Sequence, residues 1–249
     1  MHAERRRDGR LDAGAFGAWI AAMRLALAGK ADAGVPCGDC CACCSTSHFV
    51  HIGPEERETL ARVPRELLFP APGMPAGHVL LPYDGHGNCP LLDGRGRCTI
   101  YAHRPLTCRT YDCRVFAAAG VEADRELITR RVRQWRFSCP GPADAERLAA
   151  VRAAAGWVRK HADAFPGREV PDGPADLAVL AVRVADVFLP GGPVATGADD
   201  STTAAAVVRA ANAGVADRAA GVVARATGAD GRGPSGPMSP ADAYRAHRP

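Results

Sequence analysis

Cys37-Gly-Asp-Cys-Cys-Ala-Cys-Cys44 is the stretch of this 249-residue chain that decides how its surroundings fold. The two-residue gap from Cys37 to Cys40 lets both sulfurs face one centre from a single turn, and Cys40 and Cys43 repeat that gap at once. The glycine after the first cysteine leaves room for the turn to be tight. This motif can therefore supply three or four thiolate ligands to one centre.

A second group of cysteines follows after a long segment and consists of Cys89, Cys98, Cys108 and Cys113. Asp93-Gly94, between two short apolar pieces, predicts a hairpin across which the first two of these cysteines approach each other. Pro105 suits the start of a helical turn that carries the last two. Bonds from thiolates to a metal would offset the entropy lost in closing the long segment between the two groups.

The ten cysteines, all between positions 37 and 139, allow three interpretations. A disulfide framework is disfavoured because neighbouring cysteines bridge each other poorly, and a metal site in a reducing compartment suits adjacent thiols better. Inert buried thiols are ordinary singly, but not as eight in two dense groups. The predicted ligands are Cys37, Cys40, Cys43, Cys44, Cys89, Cys98, Cys108 and Cys113, with Cys41 and Cys139 as further candidates. The predicted centre is an iron–sulfur cluster (4Fe-4S) or zinc, and the dense grouping favours iron–sulfur.

Histidines and arginines accompany both cysteine groups. The histidines that can ligate or simply form hydrogen bonds are His48, His51, His86 and His103. The arginines interleaved with the second group are Arg104, Arg109 and Arg114. Four thiolates leave a net charge of about −2 on a zinc ion or an oxidised cubane, so these guanidinium groups either neutralise the centre or are solvated surface residues.

Composition and charge restrict the remaining classes. The net charge of +4 is mildly basic and requires no polyanionic partner, so nucleic acid is not indicated. No stretch is long and apolar enough to cross a bilayer, which excludes an integral membrane role. Arg5-Arg6-Arg7 before an apolar run raises the possibility of a twin-arginine signal. The helical spacing of that run instead predicts an amphipathic helix over 12–28 and a cytoplasmic protein.

The predicted fold class is α+β, with a small irregular metal-centred domain that contains a short hairpin and is flanked by helices. The predicted segments are an N-terminal helix at 1–30, the cysteine-cluster domain at 31–142, a helical extension at 143–190 and a largely disordered Ala/Gly-rich tail at 191–249. Within them we expect a strand at 49–52, a helix from 54, a loop at 70–88, helices at 122–135, 143–164, 175–188 and 203–226, and disorder at 228–249.

Three ordered blocks of residues resemble one family. They are Cys37-x-x-Cys40-x-x-Cys43-Cys44, Cys89-Pro90-Leu91-Leu92-Asp93, and Cys98-x-Ile100-Tyr101-x-His103-Arg104-Pro105-x-x-Cys108-Arg109. Over about residues 35–115 the chain resembles the YkgJ-type cysteine-cluster proteins, described as zinc- or iron-chelating. The resemblance implies metal binding. Cys41 replaces a common family glycine, and Cys113 and Cys139 are additional to the family pattern.

Three functions follow from these observations. The first is a metal-binding cysteine-cluster protein with a structural, redox or metal-handling role. The second is a metal-dependent enzyme with an open coordination position; a flagellin lysine methylase carries a similar cluster, which gives a remote link to protein methyl transfer. The third is a zinc-built module that holds a protein or RNA partner through the arginine-rich helix 125–136. The partner, the substrate and the catalytic residues stay unknown.

Overall fold

The computed structural model describes residues 8–165, 171 and 173–219. The strands, in chain order, are β1 (Leu11–Ala15), β2 (Val50–Ile52), β3 (Phe69–Pro70), β4 (Val79–Leu81) and β5 (Trp135–Ser138). The α-helices are α1 (Phe16–Leu27), α2 (Arg57–Leu60), α3 (Leu106–Thr110), α4 (Arg114–Ala119), α5 (Glu126–Val132), α6 (Pro142–Lys160), α7 (Pro174–Val184) and α8 (Asp200–Ala219). The α+β class is confirmed. No helix among the described residues has the length and apolar character needed to span a bilayer.

The chain divides into two compact units. The cysteine unit is Asp39–Arg109, and the helical unit comprises the described residues up to Gly38 and from Thr110 onward. The predicted bounds of 31–142 and 143–190 rest on motifs rather than packing, and they stay predictions.

The described part of the helical unit consists of a two-stranded parallel sheet and the packed helices α1 and α4 to α8. β1 pairs with β5, with Leu11 opposite Trp135. α1 buries one stripe, and its residues Phe16, Trp19, Ile20 and Met23 recur at helical spacing. α6 and α7 bury alanine and valine faces, whose small side chains let helices approach closely. The predicted helices at 143–164 and 175–188 are confirmed in this packing.

Two predicted helices of the helical unit have wrong bounds. The helix expected over 12–28 begins only at Phe16, because the preceding residues form β1 and bury Leu11 and Ala13 on alternate positions. The helix expected over 122–135 is confined to α5, and Trp135 belongs to β5 instead. Both errors concern one pair of parallel strands, which are far apart in sequence and leave little local signal.

The cysteine unit contains a three-stranded antiparallel sheet in the order β2-β4-β3. Its apolar core is small and consists of Ile52, Val63, Leu81 and Leu91, with Cys89 packed against it. The predicted strand at 49–52 is confirmed as β2. The helix predicted from 54 is present as α2 but begins only at Arg57. The loop expected over 70–88 is wrong at β4, where three apolar residues complete the sheet between segments rich in proline and glycine.

The predicted hairpin at Asp93-Gly94 is a tight turn closed by one antiparallel bridge, between Leu92 and Cys98. Asp93 Oδ1 accepts hydrogen bonds from the backbone nitrogens of Arg95 and Arg97, at 2.8 and 2.9 Å. The Asp93 carboxylate therefore stabilises the turn that brings Cys98 opposite Leu92.

Only part of the predicted tail is described. α8 confirms the alanine-rich helix expected at 203–226 over its described portion, which ends at residue 219. The predicted disorder at 228–249 lies outside the described residues.

Candidate metal centre

The cysteines divide between the two units. The cysteine unit holds Cys40, Cys41, Cys43, Cys44, Cys89, Cys98 and Cys108. The helical unit holds Cys37, Cys113 and Cys139. All ten lie within the described residues and are thiols rather than disulfides. The cysteine unit therefore contains enough thiols for a complete four-sulfur site of its own.

The first motif folds as a tight turn. Residues Ala42–Ser45 form one turn of 3₁₀-helix, and the Cys44 nitrogen donates to the Cys41 carbonyl at 2.9 Å. The turn places the sulfurs of Cys43 and Cys44 3.9 Å apart, within hydrogen-bond reach for sulfur. Thr46 Oγ1 closes the turn by donating to the Cys43 carbonyl. Two adjacent cysteines thus present their sulfurs side by side.

A close backbone approach joins the first motif to the second cysteine group. The Cys89 nitrogen donates to the Cys44 carbonyl at 2.6 Å, and the Ser47 nitrogen donates to the Gly87 carbonyl at 2.9 Å. Gly87 has a φ of +82°, and a Cβ there would lie 2.5 Å from Ser47 Oγ. Glycine is therefore required where the two segments meet.

α3 carries Cys108 and is fixed to the sheet. Thr107 Oγ1 donates to the carbonyl of His51 in β2 at 2.8 Å. The carboxylate of Glu56 accepts hydrogen bonds from the backbone nitrogens of Gly53 and Leu106, so it links the end of β2 to the start of α3. These contacts hold Cys108 in place independently of any bond to sulfur.

Four thiols of the cysteine unit, which we name the thiol quartet, share one electrostatic environment. They are Cys44, Cys89, Cys98 and Cys108. Cys108 interacts electrostatically with each of the other three, Cys89 interacts with Cys44 and Cys98, and Cys98 interacts with Cys44. The charged form of one thiol therefore opposes ionisation of the others, although the four come from separate local segments.

Burial opposes ionisation at three of these thiols. It raises the pKa of Cys108 far above its ordinary value, the pKa of Cys89 to about 11, and the pKa of Cys98 to a smaller extent. Cys44 differs, because its hydrogen bond with Cys43 lowers its pKa to about 7 against the effect of burial, with help from Arg104. Four thiolates in this space therefore need a cation to stabilise them, which a soft metal supplies.

The donor chemistry fits zinc or iron, since both take four thiolates. In the described part of the chain, however, no group of three or more His, Cys, Asp or Glu side chains is arranged so that it could hold a metal ion as it stands. As the structure places them, the quartet thiols therefore do not form a metal site.

The predicted histidines have partners other than cysteine. His48 Nδ1 lies 2.9 Å from Thr46 Oγ1, and His103 Nδ1 lies 3.1 Å from Glu58 Oε2. His51 Nε2 lies 2.9 Å from Nδ1 of His78, on which its ring stacks. His86 is exposed in the loop before Cys89. None of these contacts brings a histidine ring to a quartet sulfur.

The three predicted arginines have different surroundings. Arg104 acts electrostatically on Cys44, Cys98 and Cys108. Arg109 Nε donates to the Arg104 carbonyl at 3.0 Å. Arg114 is buried and pairs with the buried Asp112 at 2.8 Å. Neutralisation of the thiols is therefore supported for Arg104, whereas the charge of Arg114 is compensated inside the helical unit.

Cys113 has surroundings that its sequence position did not indicate. The indole nitrogen of the buried Trp135 donates to Cys113 Sγ at 3.4 Å. The guanidinium of Arg131 lies 4.9 Å from the centre of the Trp135 ring and donates to the Cys37 carbonyl at 3.2 Å. Arg131 Nε is buried without a hydrogen-bond acceptor among the described residues. The only available signal was a tryptophan preceded by basic residues, which is common in any sequence.

The arginine-rich segment 125–136 forms no continuous cationic helix. α5 occupies Glu126–Val132, and Arg130 lies 3.7 Å from Glu126 within it. Arg133 pairs with Glu122. Arg125 also lies 3.7 Å from Asp124. Three of the five arginines in this segment therefore have an acidic neighbour, which weakens the support for a polyanion-binding surface.

Comparison with known proteins assigns the cysteine-rich part of the chain. Residues 36–131 match the CxxCxxCC family model, whose description reads "Putative zinc- or iron-chelating domain". No curated protein and no solved structure matches the chain. The match contains the thiol quartet and indicates a zinc- or iron-chelating function. The resemblance to the YkgJ-type cysteine-cluster proteins is thereby confirmed over residues 36–131, which match the CxxCxxCC family model.

Proposed function

We propose that this protein binds an iron–sulfur cluster or a zinc ion through the thiol quartet of Cys44, Cys89, Cys98 and Cys108. The observation that carries the proposal is the meeting of the two cysteine groups, where the Cys89 nitrogen donates to the Cys44 carbonyl at 2.6 Å and the following turn is closed by the bridge between Leu92 and Cys98. Four sulfurs suffice for one tetrahedral zinc ion or one cubane. We favour iron–sulfur because the donors are dense and are all thiols.

The other predicted ligands have smaller support. Cys43 lies beside Cys44, and Cys40 and Cys41 precede it in the same turn. These three extend the quartet if a second metal binds or if ligands exchange. Cys37 and Cys113 belong to the helical unit, and Cys139 is exposed, so we place them outside the primary set.

If the four thiolates close around the metal, they restrict the role of the centre. Catalytic metal sites keep an open position for water or substrate, whereas structural sites are closed. A quartet closed by four sulfurs therefore fits a structural or electron-carrying role better than catalysis. Maintaining so many thiols in reduced form fits the cytoplasm, which we propose as the compartment.

Anaerobic purification followed by elemental analysis and absorption spectroscopy tests the proposal. We expect iron with a broad thiolate-to-iron absorption band, whereas a colourless protein containing zinc would keep the quartet but reverse the preference for iron. Cys108→Ser should abolish metal binding, and Cys139→Ser is the matched control. Absence of both metals from the reduced chain, or full metal content in Cys108→Ser, would overturn the proposal.

A further inference from the structure

The cysteine unit contains one sequence pattern twice, and both copies fold as the same turn. Asp84-Gly-His-Gly-Asn-Cys89 and Asp93-Gly-Arg-Gly-Arg-Cys98 share an aspartate at the first position, glycines at the second and fourth, and a quartet cysteine at the end. We name these segments the first and second cysteine turns. Each turn therefore leads directly into a thiol that the proposed function assigns to the metal.

The two cysteine turns have the same backbone hydrogen bonds. In the first turn the Asp84 nitrogen donates to the Asn88 carbonyl at 2.8 Å. In the second turn the Asp93 nitrogen donates to the Arg97 carbonyl at 2.8 Å. The glycine at the fourth position donates back to the aspartate carbonyl at 3.0 Å in the first turn and 2.9 Å in the second, and its φ is +82° and +73° respectively. The repeated sequence is therefore also a repeated structure.

The aspartate side chain closes each turn. Asp84 Oδ1 accepts hydrogen bonds from the backbone nitrogens of His86 and Asn88, both at 2.8 Å. Asp93 Oδ1 accepts the equivalent pair in the second turn, at 2.8 and 2.9 Å. In both turns the carboxylate thus binds the backbone nitrogen of the residue immediately before the cysteine. This contact fixes the backbone at the cysteine without any bond to sulfur.

Residues 41–47, at the end of the first motif, contact both turns. The Ser47 nitrogen donates to the Gly87 carbonyl in the first turn, and Ser47 has a φ of +59°, which is uncommon for a residue other than glycine. A Cβ at Gly96 would lie 3.6 Å from Cys41 Sγ, so the Cys41 sulfur lies against the second turn. The two turns therefore hold the second cysteine group against the first.

We propose that the two cysteine turns are equivalent positioning elements of the metal centre, in which Asp84 fixes the backbone at Cys89 and Asp93 fixes it at Cys98. The proposal rests on the function proposed above. Both aspartates are positioning residues, because they act through backbone nitrogens. A turn that is ordered before the metal arrives reduces the entropy lost on binding, so each aspartate raises the metal affinity.

Competition between the full-length reduced protein and a chromophoric chelator for Zn²⁺ measures this contribution. Residues that support ligands commonly change metal affinity by about 10-fold to 100-fold, and we expect Asp84→Ala and Asp93→Ala each to weaken Zn²⁺ binding by about 10-fold. Asparagine keeps an oxygen that accepts both hydrogen bonds, so Asp84→Asn and Asp93→Asn should stay within about threefold of the unmodified chain. The serine variants, with a shorter acceptor, should fall between them. Glu66→Ala, which removes an exposed carboxylate of the same unit, is the matched control and should have no effect.

Alkylation of individual cysteines separates positioning from a general loss of stability. The Zn²⁺-loaded full-length protein is treated with iodoacetamide, and the modified peptides are quantified by mass spectrometry. A loosened turn lets its own cysteine leave the metal while three sulfurs still hold it. Asp84→Ala should therefore accelerate alkylation of Cys89 more than that of Cys98, and Asp93→Ala should do the reverse. Equal acceleration at both cysteines would assign the aspartates a general structural role and overturn the proposal.

The outcomes also distinguish the two proposals. If the unmodified chain binds Zn²⁺ tightly and both alanine variants bind equally well, positioning by the turns fails while the quartet stands. Asparagine variants as weak as the alanine variants would also overturn it, because the accepting oxygen would then not suffice. If the unmodified chain binds no Zn²⁺, the assignment of both aspartates fails, and the proposed function fails with it when the anaerobically purified protein contains no iron.

Discussion

The two units of this protein are stabilised in different ways. The helical unit has a conventional apolar core, in which Phe16, Trp19 and Phe137 meet ring to ring and α6 and α7 bury continuous faces. The cysteine unit has three very short strands and four fully apolar core residues. Units below about 80 residues seldom obtain more than a few kcal/mol from such a core and often add a metal. The comparison predicts that the fold of the cysteine unit depends on a metal and that the fold of the helical unit does not.

Metal removal should give the largest effect and should affect one unit. After chelation under reducing conditions, we expect backbone amides of β2 and β4 to exchange nearly as fast as in an unfolded chain, because the thiol quartet loses its central attraction. Amides of α6 and α7 should stay protected. Hydrogen exchange followed by mass spectrometry measures both regions in one sample. Equal loss of protection in the two units would refute the comparison.

The next largest effect should come from a buried ion pair that stabilises the helical unit, between Asp112 and Arg114. Asp112, 2 % exposed, accepts hydrogen bonds from Trp19 Nε1 and from Arg114, which also donates to the Ala13 and Ala33 carbonyls. Asp112→Ala leaves the buried guanidinium uncompensated, and we expect a loss of about 3–5 kcal/mol. Denaturant unfolding followed by tryptophan fluorescence measures it.

Glu126→Ala is the control for that measurement, because its partner Arg130 is exposed and 3.7 Å away. Removing such a pair should leave the unfolding midpoint nearly unchanged. An equal cost for the two variants would show that the Asp112–Arg114 pair is no more important than a surface contact. Metal content should stay the same in both.

Two glycines of the helical unit should respond in opposite directions. A Cβ at Gly192 would lie 2.5 Å from the Val187 carbonyl oxygen, so Gly192→Ala forces the backbone apart and should lower stability by about 1 kcal/mol or more. Gly156 lies within α6 and has open space, so Gly156→Ala should raise stability by about 0.5–1 kcal/mol through helix propensity. Thermal unfolding of the two variants compares them. Destabilisation by Gly156→Ala would contradict the described packing of α6.

A smaller effect should appear in the cysteine unit as pH falls. Burial, followed by the charge of His78, lowers the pKa of His51 below its usual 6.5. The unfolded chain then takes up a proton more readily than the folded one, so the stability contribution is complete above about pH 6.5 and is lost as pH decreases. His51→Gln should flatten this dependence between pH 7 and 5, in unfolding of the metal-loaded protein.

His86→Gln is the control, since His86 is exposed. It should reproduce the acid dependence of the unmodified chain. The same slope in the His51 variant would show that the acid sensitivity arises elsewhere, with the thiols as the first alternative.

Local sequence patterns predicted turns and amphipathic helices. The tight turn at Ala42–Ser45 follows from cysteines at two-residue gaps with glycine beside them, and α1 follows from its apolar stripe. Pairing between β1 and β5 could not be predicted, because it joins segments on opposite sides of the cysteine unit in sequence. β4 was missed because its three residues stand among prolines and glycines.

The candidate site shows the same division. Cysteine spacing in the sequence predicted a metal site and its candidate ligands. The selection of four ligands required knowing which distant segments meet, as the segments of Cys44 and Cys89 do through a backbone hydrogen bond. Arg104 and Arg114 look alike in sequence. Only the structure shows that Arg114 is buried against Asp112 and that Arg104 packs on the Tyr101 ring.

X-ray absorption at the edge of the bound metal tests the central claim most directly. For zinc, the quartet predicts a first shell of four sulfur atoms at about 2.3 Å with no nitrogen or oxygen, and for an iron cluster a shell of sulfur with iron neighbours beyond it. Replacing Cys108 should remove the metal or leave a shell with fewer cysteine sulfurs. A shell dominated by nitrogen or oxygen in the unmodified protein would contradict the account.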